Sequence, residues 1–157
     1  MAHPDPAAPR RLVVGFDGSA TAEHALRWAT EEAAARGGDV EVITVRPREE
    51  ILPGTSYAIQ PHGSRPGTDE EALRADLREA VARTVSRSGQ STVTETVRTG
   101  DPATELVNAS ADADLLVVGR HRHGAASEVL LGSVAASCVR RARCPVVVVP
   151  AQRADSR

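Results

Sequence analysis

Two rhythms of apolar positions run along the chain. One is continuous: Leu12, Val13 and Val14 with Phe16 beyond them, residues 115–118, and residues 146–149 are apolar at nearly every position. Such runs call for cover on both faces, as strands of a parallel sheet have. The stretch Asp39–Arg46 reads as another strand, with Val40, Val42, Ile43 and Val45 as its apolar content. The other rhythm is helical. Ala22, Ala25, Leu26, Ala29 and Ala33 share one face between a Ser19 N-cap and Gly37-Gly38, which ends the helix. Leu73, Leu77, Val81 and Val85 mark a helix over 68–87, with Glu70–Arg74 and Glu79–Arg83 as i,i+4 pairs on its solvated flank.

Residues 91–98 alternate and are β-branched, which predicts a strand with one polar face at a sheet edge. Asp101-Pro102 then opens a short helix, an Asp cap followed by Pro at the first helical position, anchored by Leu106 and Val107. A last helix opens at Gly132-Ser133. The order β-α-β-loop-α-β-α-β-α-β, with right-handed crossovers, predicts a single-domain α/β fold: a doubly wound parallel five-stranded sheet with helices on both faces. The expected domain is 10–150, with flexible tails at 1–9 and 151–157. The loop over 47–67 is rich in Pro and Gly, lacks periodicity, and is long enough to suggest a functional role.

Composition narrows the function classes. The 157 residues suit one domain, and aromatics are only 2%, which argues against a module that stacks bases on rings. The formal charge of −2 offers no global basic field, so no nucleic-acid partner is expected. All 19 basic residues are arginine, so a Walker-type lysine is excluded. No paired carboxylates or catalytic triad stand out. No apolar stretch suits a membrane span or a secretory leader, so the expected location is the cytoplasm, with no membrane partner. Cys138 reads as a small buried hydrophobe, and neither it nor Cys144 has an adjacent base to activate it. Arg140, Arg141 and Arg143 read as a helix C-terminus offsetting its dipole.

In a parallel α/β sheet, ligands sit at the C-terminal ends of the strands. Here that points to Gly15 and Asp17 after the first strand, and to the loop from Gly119 to the helix start at Gly132-Ser133. Asp17 has two readings, a ribose or metal-water contact and an Asp that orders the turn before Ser19. The glycines and Ser133 have two as well, phosphate binding and a plain turn with an N-cap. Arg120, His121, Arg122 and His123 form either a phosphate-facing basic turn or a solvated loop. They lack the further ligands a metal site would need.

Four segments together give the chain a family likeness. They are LVVGFDGS with the alanine-rich helix behind it, the long loop after the second strand, TGDPATELVNASADADLLVVG, and LLGSVAASCVRRARCPVVVVP. Over residues 10–150 the chain resembles the universal stress protein family. The resemblance implies strand order 3-2-1-4-5 and a homodimer through the final strand. It implies an ATP site, with or without Mg²⁺, in a stress-responsive regulator that acts on a partner protein, with at most weak hydrolysis. ATP-binding members carry Gly, two residues, Gly, nine residues, Gly, then Ser or Thr. Gly119, Gly132 and Ser133 match, while Arg122 stands where the second glycine is expected and Gly124 follows two residues later. The resemblance places Asp17 near the adenosine, the Val45 backbone at the base, and the Gly132-Ser133-Val134 helix start at the phosphates. Arg122 either reaches a phosphate or narrows the loop, and in the second case the chain is a nucleotide-free scaffold or interaction module of the same fold.

Overall fold

The computed structural model describes residues 10–48, 69–85, 91–120 and 131–150. In chain order the elements are β1 (Arg11–Gly15), α1 (Ala20–Arg36), β2 (Asp39–Arg46), α2 (Asp69–Val85), β3 (Val93–Thr99), α3 (Pro102–Ala109), β4 (Leu115–Gly119), α4 (Ser133–Arg141) and β5 (Val146–Val149). A 3₁₀ turn, Ser110–Asp112, follows α3; no periodic signal marks it in the sequence. The sheet is five-stranded, in order β3-β2-β1-β4-β5, and each neighbouring pair is parallel.

Side chains alternate across the sheet, and the alternation divides the core in two. On one face Leu12, Val14, Phe16, Val40 and Val42 pack beneath α1 and α2, which contribute Leu26 and Leu77. On the other, Val13, Ile43, Leu116 and Val118 pack beneath α3 and α4, which contribute Leu106, Ala135 and Cys138. Leu12, Leu26, Ile43, Leu77 and Leu116 are fully buried, each worth ~1.5–3 kcal/mol of transfer free energy. The scarcity of aromatics thus leaves a core that is aliphatic but for Phe16 and Cys138, in two thin layers.

Local signals end the elements where the residue types require. Ser19 caps α1, accepting a hydrogen bond from the Ala22 N–H, and Gly37 closes that helix at φ 71°. The Asp101 carboxylate caps α3 with Pro102 in its first turn. Both flank pairs on α2 form, at 2.8 Å for Arg74–Glu70 and 3.1 Å for Arg83–Glu79. The edge position expected for β3 is found, although its strand begins at Val93 rather than at residue 91.

One expectation needs correction. Continuous apolar runs predict cover on both faces, and in β4 Leu116, Val117 and Val118 are indeed buried. In β5 all four valines are only half-buried, because β5 ends the sheet order. No helix among the described residues is long and apolar enough to cross a membrane. Most of the 47–67 loop, the tails, and the loop residues His121, Arg122, His123 and Gly124 lie outside the described residues.

Candidate functional site

The strand order reverses between β1 and β4, and there the C-terminal strand ends splay to either side. A cavity of about 220 Å³ opens at this point. Three groups of residues wall it. The first is the turn after β1, with Gly15, Phe16, Asp17 and Ser19. The second is an apolar wall of Ile43 and Val45 from β2 with Pro102 and Leu106 from α3. The third is the end of β4 and the start of α4: Val118, Gly119, Gly132, Ser133, Val134 and Ala135.

The turn after β1 is tied by one carboxylate. Asp17 Oδ1 accepts from the Ser19 N–H at 2.9 Å and from the Ser19 hydroxyl at 2.5 Å. The same hydroxyl oxygen accepts from the Ala22 N–H at 3.2 Å. The turn-ordering role expected of Asp17 is therefore present in the geometry. Oδ2 makes no hydrogen bond among the described residues, and Asp17 lines the cavity.

The α4 start is built differently. Its N-cap is Gly132, which brings no side-chain hydrogen bond. The first helical bond runs from Ala136 N–H to Gly132 O at 2.9 Å. The N–H groups of Ser133, Val134 and Ala135 precede it and have no acceptor within the helix. All three residues line the cavity. The starts of α1 and α3 are satisfied by Ser19 and Asp101, so an uncapped helix end at the cavity is a specific feature of α4. Its N–H groups and the positive end of the helix dipole suit an anionic oxygen.

Of the residues expected at the site, Gly15, Asp17, Val45, Gly119, Gly132, Ser133 and Val134 all meet in this one cavity. Arg120 follows β4 and donates its backbone N–H to Val149 O at 2.8 Å; it is not among the lining residues. Phe16, Ile43, Pro102 and Leu106 line the cavity without having been singled out as site residues. Pro102 and Leu106 read only as a helix start and a core anchor, and their second surface is set by how α3 crosses the β2 end. Asp101, beside them, has its carboxyl held below the usual range by hydrogen bonds from the Thr104 hydroxyl and N–H. Cys138 lies fully buried under α4, and burial pushes its thiol up to about 11, which leaves it a packing residue. Among the described residues no group of three His, Cys, Asp or Glu could hold a metal ion.

Residues 9–150 match the model of the universal stress protein family. The chain belongs to this family. A universal stress protein of Mycobacterium tuberculosis is 37% identical over 150 residues, covering 92% of this chain and 46% of that protein. This family member thus spans about half the length of the curated relatives it matches. Among solved structures, a universal stress protein in complex with cAMP aligns with a TM-score of 0.68 at 28% identity, over 93% of this chain and 100% of that one. The universal stress protein from Archaeoglobus fulgidus in complex with dAMP aligns with a TM-score of 0.60 at 25% identity, over 90% and 96%.

Proposed function

We propose that this chain binds an adenine nucleotide in the cavity at the β1–β4 switch point and acts as a regulatory protein, with ATP as the expected ligand. One observation carries the reading: an apolar-walled cavity ends at a helix start without a side-chain cap, whose first three residues line it and whose N–H groups have no acceptor within the helix. A nucleotide offers the matching chemistry, a flat base at one end and anionic oxygens at the other. Relatives of 28% and 25% identity are found in complex with cAMP and dAMP, both of which carry an adenine, a sugar and one phosphate.

In this reading the base lies against Val45, Pro102 and Leu106, the sugar faces Asp17, and the phosphate meets Ser133 and Val134. The volume of about 220 Å³ is below the ~300–1,000 Å³ of pockets that enclose a drug-sized ligand, so base and sugar fill it and the phosphates lie at the α4 start. Mg²⁺, where it accompanies ATP, would be held mainly by the phosphates, with Asp17 Oδ2 as the protein carboxylate at the cavity. Asp17 is also the one carboxylate among the described lining residues, and any hydrolysis is expected to be slow. Nucleotide binding at the α4 start would alter a surface read by a partner protein. The half-buried valines of β5 support a homodimer formed through that strand. Residues 10–150 act in this reading as one domain.

Titration calorimetry of nucleotide-stripped protein with ATP–Mg²⁺, AMP, dAMP and cAMP tests the proposal. Saturable binding of at least one, lost in a folded Gly132→Val variant, is the expected result. Absence of binding at millimolar ligand would leave the scaffold reading, in which Arg122 obstructs the loop.

A further inference from the structure

The last residue of β4 has no side chain, and α1 occupies the space one would take. A Cβ on Gly119 would lie 2.7 Å from Thr21 Oγ1, 2.8 Å from the Thr21 carbonyl carbon and 3.0 Å from the Ala22 nitrogen. Two of these three are backbone atoms, so a rotamer change alone cannot make room. The direction of that Cβ matters. Along β4, Leu116 and Val118 pack on the α3–α4 face and Val117 on the α1–α2 face. The period of two therefore sends the substituent of Gly119 to the α1 side. The start of α4, with its free N–H groups, covers the opposite face.

We infer that Gly119 is a positioning residue: its bare Cα seats the first turn of α1 and so fixes where the Asp17–Ser19 turn stands relative to the α4 start. The contact reaches that turn through hydrogen bonds. Thr21 Oγ1 is 3.3 Å from Ser19 Oγ, and Ser19 Oγ joins the Ala22 N–H to the Asp17 carboxylate. Displacing Thr21 and Ala22 to make room for a methyl group moves a whole wall of the cavity. The glycine thus acts on the base and sugar end of the ligand and not on the phosphate end. Its effect on binding rests on the nucleotide reading; its packing role does not.

The test compares wild type with Gly119→Ala for resistance to urea and for affinity toward adenosine and AMP. The variant is expected to unfold at lower urea and to lose affinity for both compounds by the same factor, about tenfold. A loss for AMP with adenosine unchanged would overturn the inference, because the glycine would then serve the phosphate. Wild-type values throughout would overturn it too. Should Gly119→Ala not fold, adding Thr21→Ala removes the nearest of the three atoms. The double variant is then expected to be less stable in urea than Thr21→Ala alone, because the two backbone contacts remain, and a double variant as stable as Thr21→Ala contradicts the packing role. Wild-type protein that binds neither compound, nor ATP, dAMP or cAMP, would sink the nucleotide reading alone, and the urea comparison would still decide this one.

Discussion

Ser19 serves the helix and the site with a single oxygen. It caps α1 by accepting from Ala22 and holds Asp17 by donating to it. Replacing it with alanine removes both bonds, and Ser19→Ala is expected to lower stability by about 1 kcal/mol, read as a shifted urea midpoint with unchanged slope. An unshifted midpoint would mean that water replaces the cap at no cost. Gly132 makes the opposite choice and leaves its helix start open. Both features are legible in the sequence, since Ser after a strand-ending Asp-Gly and Gly-Ser before an apolar helix are local signals. The wall formed by Pro102 and Leu106 is not legible. Nothing in PATELV distinguishes a residue that packs on the core from one that also borders a cavity, because the difference lies in where β2 ends beneath α3. The role of Gly119 is hidden for the same reason: the backbone it touches lies about a hundred residues earlier, in α1.

β4 and β5 show what a local pattern conveys about an element and what it omits. One is a run of Leu and Val and the other of Val alone, and both become strands in the predicted places. Their burial differs because β4 lies between two strands and β5 ends the sheet, a property of the assembled order rather than of either segment. Four half-buried valines on an end strand make an unusual edge, since edges that stay in water tend to carry charge or proline. A second copy pairing there would remove the edge. Sedimentation of the full chain over a range of concentrations is expected to give twice the mass of one chain; a single-chain mass throughout would remove β5 as the dimer strand. β3, at the other edge, needs no such partner, because only Val93 and Val97 of its residues are apolar, and Thr94, Glu95, Thr96, Arg98 and Thr99 are polar.

Across the molecule, an ionic network links the sheet to the helix that walls the site. Glu41 on β2 pairs with Arg11 on β1 and accepts from the Thr96 hydroxyl of β3 at 3.0 Å. Arg98 lies 4.0 Å from Glu41 and 3.6 Å from Glu105 in the first turn of α3. Burial alone would raise the Glu41 carboxyl, but hydrogen bonds from Arg11 and Thr96 and the charges of Arg11 and Arg98 hold it below its ordinary value. A folded pKa below the unfolded one stabilises the fold above the unfolded carboxylate range, and the contribution disappears as pH falls through the folded value. Glu41→Gln is therefore expected to cost about 1 kcal/mol at pH 7, a figure kept small because the Arg11 side chain is 42% exposed. The cost should shrink as the medium is acidified through the carboxylate range, followed by urea unfolding at each pH. A cost independent of pH would mean that charge plays no part. The central claim, that the open start of α4 receives a phosphate, is tested most directly by the backbone amide resonances of Ser133, Val134 and Ala135. AMP is expected to shift all three strongly, while adenosine shifts mainly residues near Val45 and Leu106. AMP that binds without moving these amides would contradict the account.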